Sequence, residues 1–313
     1  MEYVLETTDL KKQYGHFTAL NNVSMHIPRG AIYGFVGKNG AGKTTLIRLI
    51  CGLQQPTAGS YSLFGRPYTA RDIRDLRKRM GAVVETPSMY LDMTAEANLK
   101  EQYRVLGLPS FKDIPKLLEL VGLADTGKKK AGNFSLGMKQ RLGIAIALAG
   151  NPDFLVLDEP ANGLDPQGIV DMRELILKLN RERHITVLIS SHILDELSRL
   201  ATHYGFIHGG SILKEIAAKE LEDACRKCTC ITVDNGGALC TVLDELGLEY
   251  RLISESEAEI YGQPVITQLV QALAGRDCCV LSVREREENL ENYYMNLIGA
   301  QSTGDRETKQ QSD

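Results

Sequence analysis

The sequence predicts an α/β fold in which a mostly parallel core sheet is covered by helices on both faces. Three apolar runs support this prediction, because each has the length of a buried strand and is followed by a segment with helical periodicity. Strands that alternate with helices in this way form parallel sheets. The apolar runs are Ala31–Val36, Phe154–Leu157 and Thr186–Ile189, and the helical segments are Lys43–Leu53, Pro166–Arg183 and a short helix from Ile193.

Further parts surround this predicted core. Short strands at Val4–Leu5 and Ala19–Ile27 indicate an antiparallel β subdomain, and residues from about 86 to 150 have the periodicity of a helical subdomain. We therefore assign residues 1–215 to the first domain. From residue 216 to 300 the predicted order is β-α-β-β-α-β, which is typical of a small ferredoxin-like α+β domain. The polar tail 301–313 contains no apolar residue and predicts disorder.

Composition limits the possible functions. The 313 residues carry a formal net charge of −4, so no global basic field attracts the chain to nucleic acid, and we expect no nucleic-acid partner. No apolar run approaches the ~20 residues that a membrane-spanning helix needs, and the N-terminus lacks the apolar core of a signal peptide. We therefore expect a cytoplasmic protein that reaches a membrane only by docking onto another chain.

Seven cysteines are expected to be free thiols in a reducing compartment. Cys225, Cys228 and Cys230 form a C-x-x-C-x-C cluster that raises the possibility of a zinc site, for which Cys240 or the Cys278–Cys279 pair could supply a fourth ligand. The spacing matches no familiar zinc motif. The favoured interpretation is that these are small, half-buried residues of a strand region.

The clearest motif is the loop Gly37–Thr45, whose first eight residues fit G-x-x-x-x-G-K-[ST]. Glycines, here Gly37, Gly40 and Gly42, let the backbone curl so that N–H groups, including that of Asn39, point at phosphate oxygens. The next helix presents its positive N-terminus to the same phosphates, while Lys43 reaches the β- and γ-phosphates and the Thr44 hydroxyl ligates Mg²⁺. The loop predicts ATP binding, although alone it would also serve a kinase or a GTPase.

Polar residues follow the next two predicted strands. Asp158 and Glu159 end the strand Phe154–Leu157, where Asp158 can hold Mg²⁺ and Glu159 can act as the general base on water. His192 follows the strand Thr186–Ile189. Because ligands gather at the carboxyl ends of parallel strands, this histidine can reach a γ-phosphate.

The order of these motifs resembles that of an ATP-binding cassette (ABC) ATPase over residues 1–215. The motifs are Tyr14, the loop Gly37–Thr45, Glu85, Ser135–Gln140, Asp158–Glu159, Asp165 and His192. The resemblance implies that Tyr14 stacks on adenine, that His192 contacts the γ-phosphate, and that Asp165 belongs to the nucleotide site. It further implies a dimer, expected here as a homodimer, in which Ser135 and Gly137 of one subunit face ATP held by the other.

Two positions depart from the usual family pattern. Leu136 stands where the signature loop L-S-G-G-Q has its first glycine, and Glu85 stands where the family generally has glutamine. A carboxylate binds Mg²⁺ more strongly than an amide does, so Glu85 is a predicted metal ligand. Both departures are similar to those of the bacterial ABC subgroup that exports or expels bacitracin and lantibiotic peptides.

The resemblance favours an ATPase that drives an integral membrane permease from the inner face of the cell membrane. The alternative from the same superfamily is a soluble ATPase that acts on ribosomes or DNA. Such relatives usually carry two cassettes or a long coiled coil, and this chain has neither. A third possibility, compatible with the first, is that residues 216–300 bind a regulatory ligand or partner.

Overall fold

The computed structural model describes residues 2–225, 227–262, 264–286 and 290–299. The chain divides into two compact units, Met1–Ala218 and Lys219–Asp313. Among the described residues, no helix is both long and apolar enough to cross a membrane.

The first unit begins with an antiparallel sheet of four strands. Its strands are β1 (Tyr3–Tyr14), β2 (Phe17–Pro28), β4 (Ala58–Leu63) and β5 (Arg66–Pro67), in the spatial order β2-β1-β4-β5. Both β1 and β2 have 12 residues, so they extend far beyond the short strands that the apolar residues alone predicted. Polar residues extend them because one face of an antiparallel strand can point to water.

The second sheet of this unit is the predicted core sheet. Its strands are β3 (Ile32–Val36), β6 (Met80–Val83), β7 (Phe154–Asp158), β8 (Thr186–Ser191), β9 (His203–His208) and β10 (Ser211–Ala217), in the order β10-β9-β3-β8-β7-β6. All neighbours are parallel except β10, which runs antiparallel to β9. Every residue of β3, β7 and β8 is buried, which confirms the mostly parallel core sheet.

Helices flank these sheets. They are α1 (Lys43–Ile50), α2 (Ile73–Arg77), α3 (Ala95–Val105), α4 (Ile114–Leu120), α5 (Leu136–Leu148), α6 (Pro166–Arg183) and α7 (Leu194–Ser198). The apolar face of α1 is buried in the same core cluster as Phe35 of β3 and Phe154 of β7. That packing fixes the helix directly behind the loop that joins it to β3.

The second unit contains an antiparallel sheet of four strands together with helices. Helix α8 (Ala218–Ala224) spans the division between the units, and β11 (Cys228–Val233), α9 (Gly236–Glu245), β12 (Tyr250–Leu252), β13 (Glu257–Tyr261), α10 (Ile266–Ala274) and β14 (Val280–Arg286) follow. The sheet order is β12-β13-β11-β14 with all pairs antiparallel, which confirms the ferredoxin-like topology. Residues 290–299 are helical, and the predicted disordered tail 301–313 lies outside the described residues.

Candidate active site

The loop Gly37–Thr45 connects the buried strand β3 to the N-terminus of α1. Gly40 and Gly42 have φ angles of 80° and 111°, which glycine adopts at little cost. A Cβ on Gly37 would lie only 2.6 Å from Ile207 Cγ2 and 2.8 Å from the Ile207 carbonyl oxygen. The glycines therefore allow both the curl of the loop and its close approach to β9.

Lys43 lies at the centre of the site and is only 5% exposed. Its Nζ donates to the carbonyl oxygens of Gly37 at 2.5 Å and Lys38 at 3.3 Å. The same Nζ lies 3.2 Å from Glu159 Oε1. The ammonium group therefore joins the phosphate loop to the acidic end of β7.

The Asp158 carboxylate is the buried end of β7, and each of its oxygens accepts a hydroxyl hydrogen bond. Thr44 Oγ1 donates to Oδ2 at 2.9 Å, and Ser190 Oγ donates to Oδ1 at 2.5 Å. Asp158 is paired in register with Ser190 on β8. The Asp158 carboxylate and the neighbouring Thr44 hydroxyl offer oxygen ligands of the kind that Mg²⁺ binds.

Glu159 adopts φ of 50°, a left-handed conformation that is uncommon for a residue with a side chain. Its N–H donates to the carbonyl oxygen of Ser190 at 3.1 Å and to Ser190 Oγ at 3.0 Å, so β8 holds the turn. The Glu159 carboxylate lies between Lys43 and His192, whose Nδ1 is 2.7 Å from Oε2. The structure thus brings Lys43, Asp158, Glu159 and His192 together.

Glu85 follows β6, the edge strand beside β7, and also has a positive φ, of 60°. Its carboxylate is 55% exposed and accepts a hydrogen bond from Arg48 of α1 at 2.6 Å. The structure therefore pairs this predicted metal ligand with an arginine.

Tyr14 ends β1 at the tight turn to β2 and is 42% exposed. Its hydroxyl donates to Gln54 Oε1, and Lys12 Nζ lies 5.1 Å from the centre of its ring. Gln54 holds the hydroxyl end of the ring and Lys12 lies over its face, while much of the side chain remains accessible to solvent.

The signature-loop residues lie at the start of α5. Ser135 is the N-cap, and its side chain accepts from the N–H of Met138 at 3.3 Å. Leu136 is 46% exposed, and a Cβ on Gly163 would be 3.1 Å from its Cδ2, so the leucine packs against that loop. A Cβ on Gly137 would be in ordinary van der Waals contact with Leu164 Cδ2 at 3.7 Å and would meet no nearer atom.

Asp165 caps a second helix in this region. Its side chain accepts from the Gly168 N–H at 2.8 Å, and Pro166 is the first residue of α6.

Burial is the main reason that the pKa of the Cys51 thiol, behind the site, is raised to about 12, so this thiol remains neutral.

Sequence reasoning missed two residues that contact this site. Ser190 contacts both acidic residues, and Arg48 binds Glu85. The polar Ser190–Ser191 pair at the end of an apolar strand was a usable signal for the first. Nothing in the local sequence around Arg48 indicated its partner, because the contact joins helix α1 to the segment after β6, and the two residues are 37 positions apart.

Comparisons with known proteins agree with this geometry. The family model for ABC transporters matches residues 20–162. The chain is 40% identical to the bacitracin transport ATP-binding protein BcrA of Bacillus licheniformis over 309 residues, which cover 97% of this chain and 100% of the relative. It is 45% identical to the lantibiotic transport ATP-binding protein SrtF of Streptococcus pyogenes over 68% of this chain and 90% of the relative.

A solved structure is similar as well. It is a dimeric, post-hydrolysis ATP-binding cassette bound to ADP and Pi, with 25% identity and a TM-score of 0.61 over 68% of this chain and 98% of that one.

The chain belongs to the ABC transporter ATP-binding family, which confirms the resemblance seen in its motifs. It is the ATP-binding, ATP-hydrolysing subunit of such a transporter.

Proposed function

We propose that this ATPase drives the export or expulsion of antimicrobial peptides of the bacitracin or lantibiotic type through a separate membrane permease. The observation that carries the proposal is the 40% identity to a bacitracin transport subunit, which extends over both units of the chain. The subunit would act at the inner face of the cell membrane, held there by the permease.

We propose the following roles in hydrolysis. The backbone N–H groups of the phosphate loop and Lys43 bind the β- and γ-phosphates of ATP. Thr44 and Asp158 would hold Mg²⁺, which would neutralise phosphate charge, and the oxygen atoms of these two side chains fit that ion. Glu159 accepts the proton of the attacking water, and His192 both orients Glu159 and contacts the γ-phosphate.

The adenine and the opposite subunit complete the site in this proposal. Tyr14 presents an accessible ring on which adenine stacks. Ser135 and Gly137 lie at the positive end of α5, which suits contact with the γ-phosphate of ATP held by a second subunit. Asp165 shapes the neighbouring loop by capping α6. The dimeric solved relative supports the assembly of two ATP-binding subunits.

The groove beside Glu85 is the proposed docking point for the permease. It has a volume of about 520 Å³ and is lined by residues of α1, of the segment Val84–Ser88 and of α5. A Cβ on Gly143 of α5 would lie 2.5 Å from Pro87 Cβ, so the groove floor is tightly packed. Because α1 and α5 both contribute to this groove, force applied there would reach the phosphate loop and the signature loop together.

The test is a resistance assay in a susceptible bacterial host. The chain is co-expressed with its neighbouring permease, and the minimum inhibitory concentrations of bacitracin and of a lantibiotic are measured. We expect tolerance to rise with the wild-type chain and to stay at the host level with Glu159→Gln. Unchanged susceptibility with an intact, ATP-hydrolysing complex would refute the peptide substrate.

A further inference from the structure

Three potential metal-ligating side chains meet within the second unit, far along the chain from the nucleotide motifs. The Sγ atoms of Cys228 and Cys230 and a carboxylate oxygen of Glu259 all lie within 4.8 Å of one another. Cys230 is the register partner of Glu259 on the neighbouring strand β13. The pairing of β11 with β13 therefore brings the cluster together.

The cluster lies on one face of the sheet. Because side chains alternate along a strand, Ile231 and Val233 of β11 enter the core of α9 and α10, while Cys228 and Cys230 point to the opposite face. Cys228, Cys230 and Glu259 are nevertheless only 1%, 5% and 2% exposed. A carboxylate that is this deeply buried needs charged or hydrogen-bonding partners.

Partners for the Glu259 carboxylate are present around its Oε2 atom. Arg251 donates to Glu259 Oε2 from Nη2 at 2.7 Å and from Nε at 3.1 Å, and the Tyr261 hydroxyl donates to the same oxygen at 3.2 Å. Carboxylates that ligate metals are commonly held in this way by outer donors, which fix the orientation of the ligand.

The charges of the cluster also fit a bound cation. Two thiolates and one carboxylate would carry three negative charges. A divalent cation and the Arg251 guanidinium carry three positive charges. Arg284, the register partner of Cys230 on β14, is balanced by Glu257 at 2.7 Å, so the group as a whole would be neutral. Neutrality is important in a site with so little contact with water.

We propose that Cys228, Cys230 and Glu259 form a binding site for a zinc-class divalent cation. Thiolate sulfur and carboxylate oxygen are both good ligands for Zn²⁺, and three protein ligands leave a fourth tetrahedral position for water. Binding releases the thiol protons to solvent, because the thiolate is the form that ligates metal. The site would tie β11 to β13 and so stabilise the ferredoxin-like unit.

The experiment uses the full-length chain, purified and reduced, and titrated with Co²⁺ as a spectroscopic substitute for Zn²⁺. We expect one Co²⁺ per chain, a thiolate-to-cobalt charge-transfer band in the near ultraviolet, and loss of that band when Zn²⁺ is added. Zn²⁺ should also protect two thiols from a thiol-reactive dye. Absence of the band in the wild-type chain would overturn the proposal without any reliance on a variant that fails to fold.

Matched variants locate the metal. Cys230→Ser and Glu259→Gln should each weaken Co²⁺ binding by at least about tenfold. The controls are Cys279→Ser, which removes an exposed thiol, and Glu245→Gln, which changes an exposed carboxylate of α9 that pairs with Arg276. We expect both controls to bind like the wild type. Equal loss of binding in controls and cluster variants would place the metal elsewhere and refute the site.

Discussion

Ser190 offers the sharpest test of the proposed Mg²⁺ site. Ser190→Ala removes the hydroxyl that donates to Asp158 Oδ1 at 2.5 Å. A hydrogen bond to a charged group contributes about 1.5–3 kcal/mol, and about 1.4 kcal/mol corresponds to a factor of ten. Because Thr44 still donates to the other oxygen of Asp158, we expect the lower part of this range, a roughly tenfold weaker apparent affinity for Mg²⁺.

We expect Glu159 to keep its position in the Ser190→Ala variant. Its N–H also donates to the main-chain carbonyl oxygen of Ser190 at 3.1 Å, and alanine retains that carbonyl. The proposed general base is therefore expected to stay in place, and turnover at saturating Mg²⁺ should remain close to that of the wild type. The assay is ATP hydrolysis measured over a Mg²⁺ titration at constant free ATP.

The matched control is Ser191→Ala at the adjacent position. The Ser191 hydroxyl hydrogen-bonds to the backbone of Ile193 and not to the acidic end of β7. We expect its Mg²⁺ titration to resemble that of the wild type. The reasoning would be refuted if Ser190→Ala titrated like the wild type, or if the two variants shifted the Mg²⁺ midpoint equally.

Three further substitutions test other parts of the site. Glu159→Gln should lower turnover by about 10²–10⁴-fold while ATP still binds, because the amide cannot accept the proton of water; wild-type turnover would exclude Glu159 as the base. Glu85→Gln breaks an exposed ion pair with Arg48, so the melting temperature should barely change, whereas the Mg²⁺ dependence of hydrolysis should shift if the carboxylate ligates the metal. Tyr14→Ala should weaken ATP binding about tenfold through lost stacking, and the adjacent exposed Phe17→Ala is its control in a fluorescent-nucleotide titration.

The parts of the fold and site that the sequence predicted are those that local chemistry dictates. A phosphate loop needs glycines between a buried strand and a helix, so Gly37–Thr45 could be recognised and placed from the residue order alone. Asp158 and Glu159 were recognisable because carboxylates directly after an apolar strand are unusual. The ferredoxin-like order followed from alternating periodicities in residues 228–286.

The features that sequence reasoning missed depend on contacts between distant segments. Ser190 meets Asp158 only because β7 and β8 pair in that register, and Arg48 meets Glu85 only because α1 packs near the end of β6. Glu259 joins the cysteine cluster through the pairing of β11 with β13, which no spacing within the C-x-x-C-x-C run could reveal. Such registers follow from the hydrophobic pattern of whole strands and from turn geometry, which together pair residues that are far apart in the chain.

The position of β6 has a consequence for how the timing of this motor can vary. In the order β3-β8-β7-β6, strand β6 is at the edge, three strands and therefore about 14 Å from the strand that carries the phosphate loop. Glu85 follows this edge strand, but its carboxylate contacts Arg48 of α1, the helix that begins at the phosphate loop. We therefore expect an exchange of Glu85 to alter the timing of the hydrolysis cycle through α1, while the residues of the phosphate loop itself stay unchanged.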